Sequence, residues 1–325
     1  MKIIERRKNL ISSLVPALIT FILVSILSPF LIATLRRLKL TQPIRAELPV
    51  EHHNKKGTPL MLGSIFLIGT LVAFLNYSSP LMLFLVGTFI LFSVVGFLDD
   101  FQKASKQDPG GISAKTKLVF QFSFTIFLLI VLINFFQLDT TFRITDSINI
   151  VLPLWLYLAL ITLFIVGSAN AINFTDGMDG LLGMVSIPTF FFFFLISDHI
   201  EVKIFSLIMI ASLAGFLIYN LYPAKAFMGD TGSMAIGGSL SFLAIIEKVE
   251  ILIPLLFFIY LAEQFSVIFQ VFYFKRTKKR LFLLAPIHFH YGIKYGWSEN
   301  IIVMNFTIVS WTGSFLSYLY VYFMM

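Results

Sequence analysis

The stretch Asn170-Ala171-Ile172-Asn173-Phe174-Thr175-Asp176-Gly177-Met178-Asp179-Gly180 breaks an apolar sequence with two carboxamides, two carboxylates and two glycines. Asn170, Asn173, Asp176 and Asp179 stand three residues apart. On one continuous α-helix each such step turns the side chain back by about 60°, so the four would spread over half the circumference. The stretch therefore reads as the end of a helix and a backbone that wraps at Gly177 and Gly180, turning the polar side chains toward one ligand. The plainer alternative is an N-cap for the next helix by Asp176 or Asp179. A cap needs one such residue, and here there are four.

Around this stretch the 325 residues are 58% hydrophobic and 13% charged, with 38 Phe. A soluble domain has no means of burying that much apolar surface. The long apolar runs lack the alternation of barrel strands, so the chain reads as all-α: a polytopic integral membrane protein forming a single domain over residues 1–325. Runs long enough to span fall near 12–35, 60–78, 80–98, 118–136, 150–169, 181–197, 203–221, 234–247, 251–274 and 300–323, which predicts about ten transmembrane helices. The basic start from Lys2 to Lys8 looks like a signal sequence, but it lacks a small-residue cleavage site and reads as a retained first helix. The Phe190 to Phe194 run reads as lipid-facing bulk. Absence of Cys excludes disulfides and thiolate metal sites.

Of the 24 Lys and Arg, 17 fall in alternate connections near 36–59, 99–117, 170–180, 222–233 and 275–298. The positive-inside rule places these on the cytoplasmic side and both termini outside. The net charge of +7 is thus a matter of topology and substrate attraction, with no nucleic acid implied.

The same connections collect acids. Asp99 and Asp100 close the third run, with Lys103 just beyond and Lys115 after a Gly110-Gly111 turn. Carboxylates at a helix C-terminus meet the negative end of the dipole, so capping does not explain them. Asp230 and Ser233 sit in Gly229-Asp-Thr-Gly-Ser233, where either residue can cap the eighth helix and the tight turn can present a carboxylate and amides to phosphate. Glu263, Gln264 and Gln270 interrupt the ninth run, as residues facing a cavity or another helix do. In Ala285-Pro-Ile-His288-Phe-His290 an extended backbone would point both His to one side, as donors to phosphate or carbonyl oxygen. No soft third ligand favours zinc, and the acids favour a hard cation, Mg²⁺. Carboxylates, lysines and a cation at a membrane edge are what phosphoryl transfer to a lipid requires.

At Lys55-Lys-Gly-Thr-Pro, Gly96-Phe-Leu-Asp-Asp, Asn170 to Gly180, Phe227-Met-Gly-Asp-Thr-Gly-Ser and Ala285-Pro-Ile-His the chain resembles the polyprenyl-phosphate N-acetylhexosamine-1-phosphate transferases. Within them it is most similar to the branch that acts on UDP-N-acetylmuramoyl-pentapeptide and undecaprenyl phosphate, giving lipid I and UMP with Mg²⁺. The resemblance implies ten helices, an active site on the cytoplasmic side of a bacterial inner membrane, and a homodimer. It also assigns roles. Asp99, Asp100, Asp176 and Asp230 match the essential acids, with Asp230 and Asp176 as metal ligands. Asn173, Gly177, Asp179, Asn220, Phe227 and Gln270 match positions that hold the nucleotide substrate, Phe227 by stacking on uracil, and Asn170 and Ser233 are candidate substrate-binding residues beside them. Lys103 and Lys115 would meet phosphates, His288 and His290 the substrate's oxygens, and Lys55 is a further candidate for substrate binding. Leu60, Leu62 and Phe289 depart from the family's Thr, Gly and His.

Two other readings stay open. A sister enzyme would move N-acetylglucosamine-1-phosphate to the same lipid; the Ala285-Pro-Ile-His block and Lys-Gly-Thr-Pro favour the muramoyl branch. A transporter would hold its acids at mid-depth between inverted repeats, and here no repeat is visible and the acids lie at helix ends. Direct attack by the lipid phosphate and a covalent Asp99 or Asp100 intermediate are both compatible with the sequence.

Overall fold

The computed structural model of the chain describes residues 2–42 and 57–325, the first dozen of them as backbone only. Lys55 lies outside the described residues. Ser79, Ser113 and Ser298 each accept a hydrogen bond from a first-turn amide and so start α3 (Pro80–Lys106), α4 (Ala114–Phe136) and α12 (Glu299–Met324). The other long helices are α1 (Lys2–Arg37), α2 (Phe66–Asn76), α5 (Leu154–Thr175), α6 (Leu181–Ile196), α7 (Ile200–Asn220), α8 (Gly229–Ile246) and α10 (Phe258–Thr277). Two short ones, α9 (Ile253–Leu256) and α11 (Ile287–Tyr295), complete an all-α membrane fold. Its small exception is a hairpin, β1 (Thr141–Arg143) antiparallel to β2 (Asn149–Val151).

Every apolar run falls on a helix, but the expected ten crossings are not established. Six helices among the described residues are long and apolar enough to span alone, seven if Glu250–Leu256 and Phe258–Thr277 count as one. That ninth run is not a single helix: its parts meet at 76°, where Phe257 leaves helical geometry. The first helix of residues after the 62–65 turn and α6 are shorter than a bilayer core demands, and α8 opens on polar residues.

α8 is the axis of the molecule. All its residues from Gly229 to Ile245 are buried except Asp230. Glycine permits this: a Cβ on Gly237 would lie 2.8 Å from the Ala169 Cα of α5, so the two backbones pass in contact. α3 packs on another face of α8, α1 on α7, and α6 between α7 and α12. The phenylalanine run is a correction to the sequence reading, since Phe190, Phe192 and Phe193 are fully buried in this core. Apolar surface instead faces outward along α1 and α4 (Leu18, Ile22, Phe30; Ile126, Phe127, Ile130).

The connections near 99–117, 170–180, 222–233 and 275–298 meet at one end of the bundle. At the other end Lys248 holds Asp139 beside the hairpin, and the hairpin's turn takes a hydrogen bond from Tyr320 of α12.

Candidate active site

α3 does not stop at its acids. It runs on to Lys106, with Lys103 and Lys106 in the last turn where the dipole favours cations. Asp99 and Asp100 are therefore embedded in the helix, and neighbours on a helix point about 100° apart. Asp99, 3% exposed, faces the next loop: its Oδ1 accepts the Ile112 N–H at 3.0 Å, and its Oδ2 is 2.5 Å from Lys103 Nζ. Asp100, fully buried, faces α8. Its Oδ1 accepts the Asp230 N–H at 3.0 Å, and its Oδ2 accepts the Thr231 N–H at 2.8 Å and the Thr231 hydroxyl at 2.7 Å.

The cap of α8 thus comes from another helix. Neither Asp230 nor Ser233 caps it: the N-cap residue is Met228, without a side-chain bond. Gly229, at φ 74°, makes the turn, and a Cβ there would stand 2.4 Å from Asp100 Oδ2. Gly96, one turn before Asp100, brings α3 onto the Asp230 carbonyl, where any Cβ would overlap it.

Asp230 is left free to project into the site. Its Oδ2 is 3.2 Å from Lys103 Nζ and 2.5 Å from Lys117 Nζ, and its Oδ1 accepts from Asn173 Nδ2 at 2.9 Å. Asn173 also donates to the buried Ser233 hydroxyl at 2.8 Å, which in turn donates to Gly229 O. Asp99, Asp100 and Asp230 each offer an oxygen within 4.8 Å of the others. Three carboxylates against two lysines, all oxygen donors, suit a hard divalent cation.

Lys117 was not singled out in the sequence, and Lys115 was. Two residues apart on a helix means opposite faces, and Lys115 is exposed while Lys117 turns inward. A lysine in the first turn of a helix opposes the dipole and calls for an acidic partner, but that holds for both lysines and does not choose between them.

The stretch from Asn170 to Gly180 behaves as expected in outline. α5 ends at Thr175, and the backbone turns through Gly180, the N-cap of α6 at φ 78°, so neither Asp176 nor Asp179 caps that helix. Its polar side chains take different protein partners. Asn170 pairs with Gln121 of α4 at 2.7 Å. Asp176 is half-buried beside the cluster without belonging to the group of three; burial pushes its carboxyl well above the usual range, and the charges of Asp230 and Asp100 add to this. Asp179, 3% exposed, accepts from Ala224 N at 2.8 Å. Asn220, equally buried, accepts from Gly180 N and donates to Ala226 O, so this pair clamps the 177–180 turn to the 221–226 loop.

Others stand further off. Phe227 is half-buried against Leu35, Leu60 and Met61. Leu60, Leu62 and Phe289 are all buried in apolar clusters. Gln270 accepts from Leu281 N and Phe282 N and shapes the following loop. The expected one-sided His pair is corrected: Ile287–Tyr295 is helical, so His288 and His290 diverge. His288 is fully buried against Gly177 and Glu263, and His290 accepts from Leu283 N.

Comparison with known proteins was made against this geometry. The family model described as glycosyl transferase family 4 matches residues 81–248, which include the whole cluster. The phospho-N-acetylmuramoyl-pentapeptide-transferase of Halalkalibacterium halodurans is 39% identical over 306 residues, 91% of this chain and 93% of the relative. Those of Staphylococcus epidermidis (39% over 322 residues, 93% and 96%) and Bacillus subtilis (38% over 299 residues, 89% and 91%) match similarly. Likeness of this extent, across the acids and the helices that carry them, means that the chain belongs to glycosyl transferase family 4, among the phospho-N-acetylmuramoyl-pentapeptide-transferases.

Proposed function

We propose that the protein transfers phospho-N-acetylmuramoyl-pentapeptide from its UDP conjugate to undecaprenyl phosphate, releasing UMP and forming lipid I, the first membrane step of peptidoglycan synthesis. The observation that carries this reading is the triad Asp99, Asp100 and Asp230 with Lys103 and Lys117 among its oxygens, in a chain whose relatives bear that name. A phosphate oxygen of the lipid forms the new bond to the phosphorus that carries the sugar, and the bond from that phosphorus to UMP breaks.

Asp99, Asp100 and Asp230 are the residues that would hold Mg²⁺, whose charge, when bound, offsets that of the phosphates. Asp100 Oδ1 accepts one hydrogen bond and keeps a lone pair for this. Its other oxygen is taken twice by Thr231, which argues against Asp100 as a covalent nucleophile. Lys103 and Lys117 reach the carboxylates on flexible stems and are placed to turn to phosphate oxygens instead. Asn173 holds the Asp230 carboxylate in place. The distribution of Lys and Arg supports a cytoplasmic site, and a homodimer of single-domain chains belongs to the same proposal.

The experiment is release of UMP by purified protein given undecaprenyl phosphate and either UDP-N-acetylmuramoyl-pentapeptide or UDP-N-acetylglucosamine, with Mg²⁺ or with chelator. Release from the muramoyl substrate alone, abolished by chelator, is expected. Release from N-acetylglucosamine alone would move the chain to the sister reaction. For sidedness, a Gly110→Cys protein should react with an impermeant thiol reagent only after the membrane is opened.

A further inference from the structure

Glu263 and His288 are both completely buried, and neither touches the three carboxylates. Glu263 comes from α10 and His288 from the first turn of α11. His288 Nδ1 is 3.0 Å from Glu263 Oε2, yet the angles fall short of a hydrogen bond. The outer atoms, His288 Nε2 and Glu263 Oε1, have no hydrogen-bond partner among the described residues either. Two polar side chains thus meet, without a hydrogen bond, in a fully buried place. Such an arrangement is unfavourable, and an apolar pair of the same shape would be at least as stable. Stability gives no reason for it.

What the imidazole touches does. Its Cε1–Nε2 edge lies flat on Gly177, where a Cβ would come 2.4 Å and 2.5 Å from those atoms. Gly177 follows Asp176 directly, and four residues earlier Asn173 holds Asp230. The chain of contacts therefore runs from Glu263 through His288 to the turn that ends α5, at the edge of the cluster.

We propose that Glu263 is a positioning residue for the transfer. It fixes the His288 imidazole, and the edge of that ring fixes the Asp176–Gly177 turn. This rests on the transferase reading above. A carboxylate behind a histidine decides which nitrogen carries the proton and how the ring is turned. With the proton on Nδ1, toward Glu263, Nε2 is presented to the turn as an acceptor.

The test is a mutant cycle on the full-length protein in detergent, reading kcat, KM for the UDP substrate and Tm. Glu263→Leu should lower kcat about ten- to a hundredfold, as loss of such outer partners does, with KM and Tm close to wild type. Glu263→Gln, whose amide oxygen still accepts from Nδ1–H, should recover most of kcat. The double variant Glu263→Leu with His288→Leu should be no slower than His288→Leu alone, because the carboxylate acts only through the ring. Wild-type kcat in Glu263→Leu, a glutamine variant as slow as the leucine one, or losses that multiply would each overturn the proposal. So would a leucine protein that does not fold, since the pair would then serve folding. Wild-type protein in the same assay tests the reaction itself, so failure of the transferase reading is seen separately.

Discussion

Lys117 Nζ stands 2.5 Å from Asp230 Oδ2, across 113 residues of sequence. The contact assigns Lys117, in preference to Lys115, as the cation that α4 brings to the site. A hydrogen bond to a charged group is worth roughly 1.5–3 kcal/mol, so Lys117→Met should slow UMP release about ten- to a hundredfold. Lys115→Met, on the exposed face, should remain near wild type. Equal losses in the two would remove the assignment.

Asp230 and Asp100 should separate on two axes. Asp230→Asn takes away a proposed cation ligand while the cap of α8 stays in place, so transfer should be lost and Tm kept. Asp100→Ala removes the acceptor of two α8 amides and a hydroxyl. It should cost activity and, as a lost cap, about 0.5–2 kcal/mol of stability. Thermal unfolding of the two purified variants, followed beside the UMP assay, measures both.

At the far end of the bundle, burial would raise the Asp139 carboxyl, but the Thr141 amide and Lys248 outweigh it and hold the group below its ordinary 3.8. A lowered folded-state value means that the unfolded chain binds the proton more readily. The contribution to stability is therefore complete above 3.8 and lost as pH falls through the folded value. Asp139→Asn should lower Tm slightly at neutral pH, and the gap to wild type should close in acid. A gap that persists below that range would show that the hairpin is held by something other than charge.

Leu60 and Phe289 sit in apolar clusters at 3% and 9% exposure. Putting back the hydroxyl or the imidazole of the family pattern places a polar group in an apolar cluster, at a cost of about 1–3 kcal/mol for a group left unpaired. Leu60→Thr and Phe289→His should thus lower Tm without tightening nucleotide binding. Tighter binding in either variant, measured by calorimetry, would mean that the site opens to these positions when occupied.

The sequence showed the helices because twenty-residue apolar runs have one physical meaning, and it showed the acids because they interrupt those runs. Ser79, Ser113 and Ser298, which cap three of the helices, were not singled out in the sequence. Asp99, Asp100, Asp230, Lys103 and Asn173 were named and do meet. What was hidden was direction. Lys115 and Lys117 differ only in helical phase, and the two His diverge because Ile287–Tyr295 is helical where an extended backbone was expected. Asp179, Asn220 and Gln270 were read as substrate contacts through the family resemblance, and in the structure each also bonds a loop backbone. Spacing along a chain cannot separate a side chain that faces a ligand from one that faces an amide.

The bond from Asp100 to the start of α8 also has a place in time. Asp100 is translated 130 residues before the amide of Asp230 that it will cap. At about 5–20 residues per second, that is a wait on the order of ten seconds. During it the carboxylate of a newly inserted α3 has no protein partner to accept from, and only its position near the helix end keeps it within reach of water. The same acid at mid-span would spend that interval in hydrocarbon. At the rim of the bundle, the candidate site keeps an acid that waits for a late partner close to water.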